Sequence, residues 1–289
     1  MRDQSIVPAP INTLPVEILA LIFKMAMPRC ARNDEQQIEF YDPASVCAYW
    51  RRVATNALNL WTHIDAGPDT PAALTELLLK RTKGSPIHLH IYEPGTDLCR
   101  PTPPEQIHKI VDMLEPHMHQ VCTLNIKLDE LSLAAHVLEN WLSYGSVDVS
   151  ESLSISCFCA DYPLLDGTEN IDAARKENAV GMLRELSTLH LHGVIFDWNS
   201  SVYRGLADLR LDGVDLDEDT FISTSDFAKI LSANPTLVVL KLANLEVRQT
   251  ADWSQPAPIL MNCLNTLNLP VLFSLRDQSR CISLRSPTE

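Results

Sequence analysis

The chain has 289 residues, 37 of them acidic and 23 basic, for a net charge of −14, and 46% of its residues are hydrophobic. That apolar content is too high for a disordered chain and supplies a core for one large domain, or for a small module joined to an elongated one. The negative charge opposes phosphate backbones and anionic lipid, so no nucleic acid and no membrane are expected among its partners.

The eight cysteines fall at 30, 47, 99, 122, 157, 159, 263 and 281. They lack the paired two-residue gaps of a structural zinc site and read as reduced, mostly core thiols. Residues 1–10 read as an N-terminal tail without the apolar stretch of a signal peptide, and no segment approaches the ~20 apolar residues that cross a bilayer. The expected localisation is cytoplasmic and/or nuclear.

From Ile11 the pattern turns helical. Asn12 or Thr13 reads as an N-cap, Pro15 fits a first turn where its missing N–H costs nothing, and Glu17 suits the positive end of the helix dipole. The helix is expected to run to about Met27 and to stop at Pro28. Its apolar residues Leu14, Ile18, Leu19, Leu21, Ile22, Phe23 and Met25 cover more than one face, so part of that surface needs a partner. After a polar loop, Asp42-Pro43 opens a second helix on which Val46, Cys47, Trp50, Val53 and Ala54 share helical spacing. Leu58, Leu60 and Trp61 complete a three-helix unit with little core of its own.

In this order, Leu14-Pro15-Val16-Glu17-Ile18-Leu19, the Val46-Cys47-Ala48-Tyr49-Trp50-Arg51 helix and Leu60-Trp61 resemble an F-box, the adaptor-docking module of cullin-type ubiquitin ligases, over residues 11–64. The chain departs from the common pattern in a long acidic loop from about Arg29 to Phe40, where many F-boxes carry a short apolar segment. Carried over by position, the resemblance implies an adaptor surface, or its support, at Leu14, Pro15, Ile18, Leu19, Ile22, Phe23, Val46, Cys47, Trp50, Leu60 and Trp61.

Beyond this unit, leucines recur at the first, fourth and sixth positions of short segments spaced roughly 20–35 residues apart. Four matches are clear: Leu186-x-x-Leu189-x-Leu191-x-x-Val194, Leu206-x-x-Leu209-x-Leu211-x-x-Val214, Leu237-x-x-Leu240-x-Leu242-x-x-Leu245 and Leu264-x-x-Leu267-x-Leu269-x-x-Leu272. Val121-x-x-Leu124-x-Ile126, Leu153-x-Ile155 and Ile87-x-Leu89-x-Ile91 follow more loosely. Helical spacing fills the intervals at residues 73–82, 105–117, 131–144, 173–183 and 226–234. The fold class is therefore α/β. The segments resemble degenerate leucine-rich repeats, which implies an irregular solenoid over residues 65–275, short parallel strands backed by helices on a convex side, and a polar tail at 276–289. The competing architecture is an ordinary α/β domain with scattered leucines; against it stand the lack of a Gly-rich strand-to-helix turn and a total of nine glycines. A Pro-rich loop at 93–104 and a polar insertion at 161–172 are expected to project and are candidates to touch a partner. With its acidic loop, its Leu-Trp pair and its Ser85-Pro86-Ile87 strand, the whole resembles the large F-box families of mushroom-forming fungi.

Side chains alternate along a strand, so residues between the leucines face away from the core. That rule gathers His88, His90, Asn125, Lys127, Ser154, Ser156, His190, His192, Arg210, Asp212, Lys241 and Asn268 on one face, the expected target-binding surface. The two His-x-His pairs lie three strands apart, about 14–15 Å, too far to share a metal at ~2 Å bonds, and read as solvated histidines. Asp215-Leu216-Asp217-Glu218-Asp219 lacks the spacing and central glycine of a calcium loop. No metal and no cofactor are expected. Neither a phosphate-binding glycine loop nor a Gly-x-Ser-x-Gly elbow is present, so no catalytic residue is assigned. The F-box resemblance implies a non-catalytic substrate receptor that binds a Skp-type adaptor, and through it a cullin, while the repeats recruit a target protein. The alternative is a scaffold or sensor that binds an adaptor or partner without a ligase.

Overall fold

A computed structural model describes residues 10–26, 43–93, 103–157, 164–165, 171–213, 221–249 and 259–269. A 3-10 turn at Pro10–Thr13 precedes helix α1 (Val16–Ala26), followed by α2 (Pro43–Val46), α3 (Ala48–Asn56), a 3-10 turn at Leu58–Leu60 and strand β1 (His63–Ala66). Then come α4 (Ala72–Thr82), β2 (Ile87–Tyr92), α5 (Pro104–Leu114), a 3-10 segment at Glu115–Gln120, β3 (Val121–Lys127), α6 (Leu131–Tyr144), β4 (Ser152–Ser156) and β5 (Leu164–Leu165). The remainder holds α7 (Ala173–Glu185), β6 (Thr188–His192), β7 (Ile195–Phe196), a 3-10 turn at Ser201–Tyr203, β8 (Asp208–Asp212), β9 (Phe221–Ser223), α8 (Thr224–Ser232), β10 (Val239–Ala243), β11 (Glu246–Arg248) and β12 (Thr266–Asn268).

The fold is α/β, built on one eight-stranded sheet in the order β1-β2-β3-β4-β6-β8-β10-β12. Every pairing in it is parallel. Strands are added in chain order and the order never reverses. The sheet therefore lacks the switch point at which doubly wound sheets hold ligands. Short parallel pairs, β5 with β7 and β9 with β11, form two further small sheets that the leucine spacing does not announce.

The fourth leucines of the motifs fall into one ladder. Ile64, Leu89, Leu124, Leu153, Leu189, Leu209, Leu240 and Leu267 stand opposite one another across the sheet. The sixth positions form a second ladder running from Ala66 through Ile91, Ile126, Ile155, Leu191 and Leu211 to Leu242. Except for Leu267, which is exposed, both ladders join one continuous core with the buried sides of the helices, including Leu79, Val111, Trp141 and Leu183. Trp141 donates its Nε1–H to the Val121 carbonyl at 3.3 Å, tying α6 to the start of β3.

Gly193 (φ +68°) and Asn244 (φ +49°) occupy equivalent positions just after β6 and β10, where the chain turns through the left-handed region. Glycine and asparagine are the residues that reach this region at least cost.

Three expectations need correction. The second N-terminal helix is split at Cys47, whose extended backbone (φ −156°, ψ 168°) interrupts it while its sulfur accepts the Trp50 N–H at 3.4 Å and so caps α3. Pro15 stands before α1 and not inside its first turn, its carbonyl accepting the Leu19 N–H at 3.0 Å. The helix expected over 105–117 leaves α geometry after Leu114, because Pro116 lacks the N–H that an α-helix interior requires, and continues as 3-10. Ile64, the last residue of the expected helical unit, is the second residue of β1. Residues 94–102 of the 93–104 loop, the greater part of the 161–172 insertion, the acidic loop at 29–40, the acidic turn at 215–219 and the 276–289 tail lie outside the described residues, and Pro104, the last residue of that loop, opens α5.

Candidate functional site

The first candidate surface is built by α1. Leu19 and Phe23 are buried, and the Phe23 ring meets Trp50 of α3 at 4.8 Å. The other side of the helix remains apolar and open: Val16, Ile18, Leu21, Ile22 and Met25 are all exposed, Leu21 at 52% and Met25 at 74%. Val46 of α2 is exposed to the same degree, at 52%. A groove of about 510 Å³ runs between α1 and α3, lined by Val16, Ile18, Leu21, Val53 and Ala57 together with Asn56 and Asn59.

The eleven residues carried over from the F-box resemblance thus divide. Pro15, Ile18, Ile22 and Val46 reach the surface, Leu14, Cys47 and Trp50 are half-buried, and Leu19, Phe23, Leu60 and Trp61 are core. Trp61 donates its Nε1–H to the Ala54 carbonyl at 2.8 Å, and the Arg81 guanidinium of α4 lies 4.2 Å from its ring, which fastens the helical unit to α4. Leu21 and Met25 were legible as apolar, but no motif marks them as surface residues.

The second surface is the sheet face opposite the leucine ladders. Register places Asp65, His90, Asn125, Ser154, His190, Arg210, Lys241 and Asn268 in one row across all eight strands. A flanking row holds His63, His88, Thr123, Ser152, Thr188 and Asp208, continuing to Val239 and Thr266, and a third holds Tyr92, Lys127, Ser156, His192, Asp212 and Ala243. Every outward residue read from the sequence lies on this face.

Its histidines are not simply solvated. His90 Nδ1 lies 3.1 Å from Asp65 Oδ1, His190 Nε2 3.3 Å from Asp208 Oδ1, and His192 Nδ1 3.1 Å from Asp212 Oδ2. His88 Nδ1 is 3.1 Å from the Thr123 hydroxyl and its ring stacks on His63 at 4.4 Å. Burial holds the His88 pKa below the usual imidazole value, Glu151 opposes that shift and Lys24 adds to it. Arg210 grips Asp208 with two bonds, 2.9 and 2.7 Å. For Asp208, burial pushes the pKa up, but the Arg210 bonds and the nearby His190 outweigh it, and the net shift is downward. Asp65, Asp208 and Tyr92 share this face and are not among the residues read from the sequence as outward-facing.

The His-x-His pairs stand on β2 and β6, three strand intervals apart. Among the described residues no group of three or more His, Cys, Asp or Glu is placed to hold a metal ion. Cys122 is buried beside His88 at 3.7 Å, but its sulfur donates to the Ile87 carbonyl and burial raises its pKa, so the thiol is held protonated. No helix among the described residues is long and apolar enough to cross a membrane. No protein-family model matches the chain, and no curated protein matches its sequence.

Proposed function

We propose that the chain is a substrate-receptor subunit of a Skp–cullin–F-box ubiquitin ligase, with an F-box-like unit over residues 11–64 and an irregular leucine-rich-repeat solenoid after it. The observation that carries this reading is the open apolar side of α1, where five large hydrophobic residues, Val16, Ile18, Leu21, Ile22 and Met25, stand exposed beside a groove. Clustered apolar surface of this kind on a helix marks a protein-binding site. The chain-ordered parallel sheet with its two apolar ladders supports the repeat reading, since each strand buries its leucines against the next.

In this reading the exposed α1 residues and Val46 dock a Skp-type adaptor, while Leu19, Phe23, Leu60 and Trp61 hold the docking helix in place. The adaptor joins the chain to a cullin in the cytoplasm or nucleus, and the polar sheet face receives a target protein. The contribution to catalysis is proximity: a target lysine is held at high effective concentration near the conjugating enzyme, and no residue of this chain takes part in bond chemistry.

The test is capture of a purified Skp-type adaptor by the purified full chain and by an Ile18→Asp/Leu21→Asp variant. Both positions are exposed, so the thermal melt is expected to stay within a few degrees of the parent. The parent captures adaptor and the variant loses capture at least about tenfold. A parent that captures none, or a folded variant that captures as well as the parent, overturns the reading.

A further inference from the structure

Five of the seven methionines lie among the described residues, and four of them are shielded. Met118, Met182 and Met261 are buried and Met113 is half-buried. Met25, in the last turn of α1, is 74% exposed, more than any other large hydrophobic residue described. A thioether reacts with oxidants without first losing a proton, so access to the sulfur decides which methionine is attacked. Cysteines are controlled differently, because the thiolate is their reactive form. Cys122 and Cys157 are buried, and Cys122 is held protonated.

Helical spacing sets Met25 beside Leu21 and Ile22, four and three residues back, and in line with Ile18 one turn further. These three neighbours are exposed and apolar, and none carries a side-chain donor. A sulfoxide oxygen at Met25 is therefore hydrated in the free chain, where it costs the fold little. Under a docked partner the same oxygen loses its water and finds no side-chain donor on this side of α1, the cost that every unpaired buried polar group carries. Oxidation thus acts on binding and not on folding.

We infer that Met25 is an oxidation site that regulates docking at α1: a peroxide converts its thioether to the sulfoxide, and the sulfoxide weakens the hold on the adaptor. The inference rests on the receptor reading, which names that partner. In the step, a sulfur lone pair attacks one oxygen of hydrogen peroxide, the O–O bond breaks and an S–O bond forms. Sulfur loses two electrons and the peroxide gains them, and the departing hydroxide takes the proton of the transferred oxygen and leaves as water. A methionine sulfoxide reductase reverses the change with electrons from a thiol. A docked adaptor covers the sulfur and in turn slows its oxidation.

The purified full chain is treated with limiting hydrogen peroxide and then with dithiothreitol, which restores reversibly oxidised thiols, those of Cys47 and Cys263 included, and leaves sulfoxides in place. Peptide mapping by mass spectrometry is expected to find sulfoxide at Met25 well before Met113, Met118, Met182 or Met261. Capture of a purified Skp-type adaptor is expected to fall about tenfold or more with an unchanged melt, and to return after methionine sulfoxide reductase. Met25→Leu is expected to hold its own level of capture through the same treatment, and adaptor added before the peroxide to protect Met25. Oxidation of the buried methionines at an equal rate overturns the inference. So does undiminished capture at full conversion of Met25, or an equal loss in Met25→Leu, which places the effect at another residue. An untreated parent that captures no adaptor defeats the receptor reading and this regulation together, whereas intact capture that ignores the sulfoxide defeats this inference alone.

Discussion

Asn234 is fully buried at the end of α8 and bonds to three segments. Its Oδ1 accepts the Leu206 N–H at 2.6 Å, and its Nδ2 donates to the Tyr203 and Ile230 carbonyls, both at 2.7 Å. Removing the amide strands a buried donor and a buried acceptor that water does not reach, and each such orphan costs about 1–3 kcal/mol. Asn234→Ala is therefore expected to lower unfolding free energy by about 2–4 kcal/mol in a urea titration, and Asn234→Asp to fare no better, since it keeps the acceptor but loses both donors. From sequence, Asn234 is legible only as a residue that ends a helix. Ile230 is one turn away on the same helix, but Tyr203 and Leu206 lie 31 and 28 residues earlier, and no local pattern encodes a bond across that distance. The histidines show the same division. His90 and His192 were legible as outward-facing because strand side chains alternate, whereas their partners Asp65 and Asp212 lie 25 and 20 residues away and become neighbours only through the register.

Helices with uninterrupted spacing were legible to within two residues: α6 begins and ends at Leu131 and Tyr144, as expected, α4 begins one residue early at Ala72, α7 ends two residues late at Glu185, and α8 is shifted two residues earlier, to Thr224–Ser232. Those interrupted by a single residue, Cys47 or Pro116, were not, and β7, β9 and β11 are too short for any periodicity to register. Packing between α5 and α6 carries a pH dependence that the pattern also hides. His136 of α6 meets His108 of α5 edge-on at 4.6 Å, and its buried Nε2 has no hydrogen-bond partner among the described residues. Burial, then the His108 charge, hold the His136 pKa below 6.5, against the smaller opposing pull of Glu139 and Asp112. His88 and His117 are shifted in the same direction, each first by burial. A histidine with a lowered folded-state pKa takes up its proton more readily when the chain unfolds, so its contribution to stability is fully present above about pH 6.5 and is lost as pH falls from there toward the folded value. Differential scanning calorimetry is expected to show Tm falling between about pH 7 and about pH 5.5, with a shallower fall in His136→Gln, which cannot take up a proton. A Tm flat across that window in the parent would contradict the assignment. Asp208 and Asp226, whose pKa values are lowered, act in a separate range, since their contributions persist until pH falls below the ordinary carboxylate value of 3.8.

At the scale of the molecule, the sheet is a stack in which each strand pairs only with its neighbours in chain order, so equivalent positions in the leucine ladder differ chiefly in how many neighbours cover them. Leu153 of β4 sits mid-sheet, flanked in its ladder by Leu124 and Leu189, and is fully buried. Leu267 of β12 occupies the same position at the sheet's last described strand, pairs only with Leu240 and is 44% exposed. The motif spells both residues identically, which is why the repeat was legible and the gradient along it was not. Truncating a fully buried leucine removes its transfer free energy and leaves a cavity, a loss of about 2–5 kcal/mol, whereas a half-exposed leucine at an edge loses less and leaves no enclosed void. Leu153→Ala is therefore expected to lower unfolding free energy by about 2–5 kcal/mol and Leu267→Ala by under about 1 kcal/mol. Amide exchange supplies an independent measure: β3 and β4 should open only with global unfolding, while β12 exchanges through local fraying at the end of the stack. Equal costs at Leu153 and Leu267, with equal protection of β4 and β12, would mean that the strands fold as one undivided core and not as a chain of nearest-neighbour repeats.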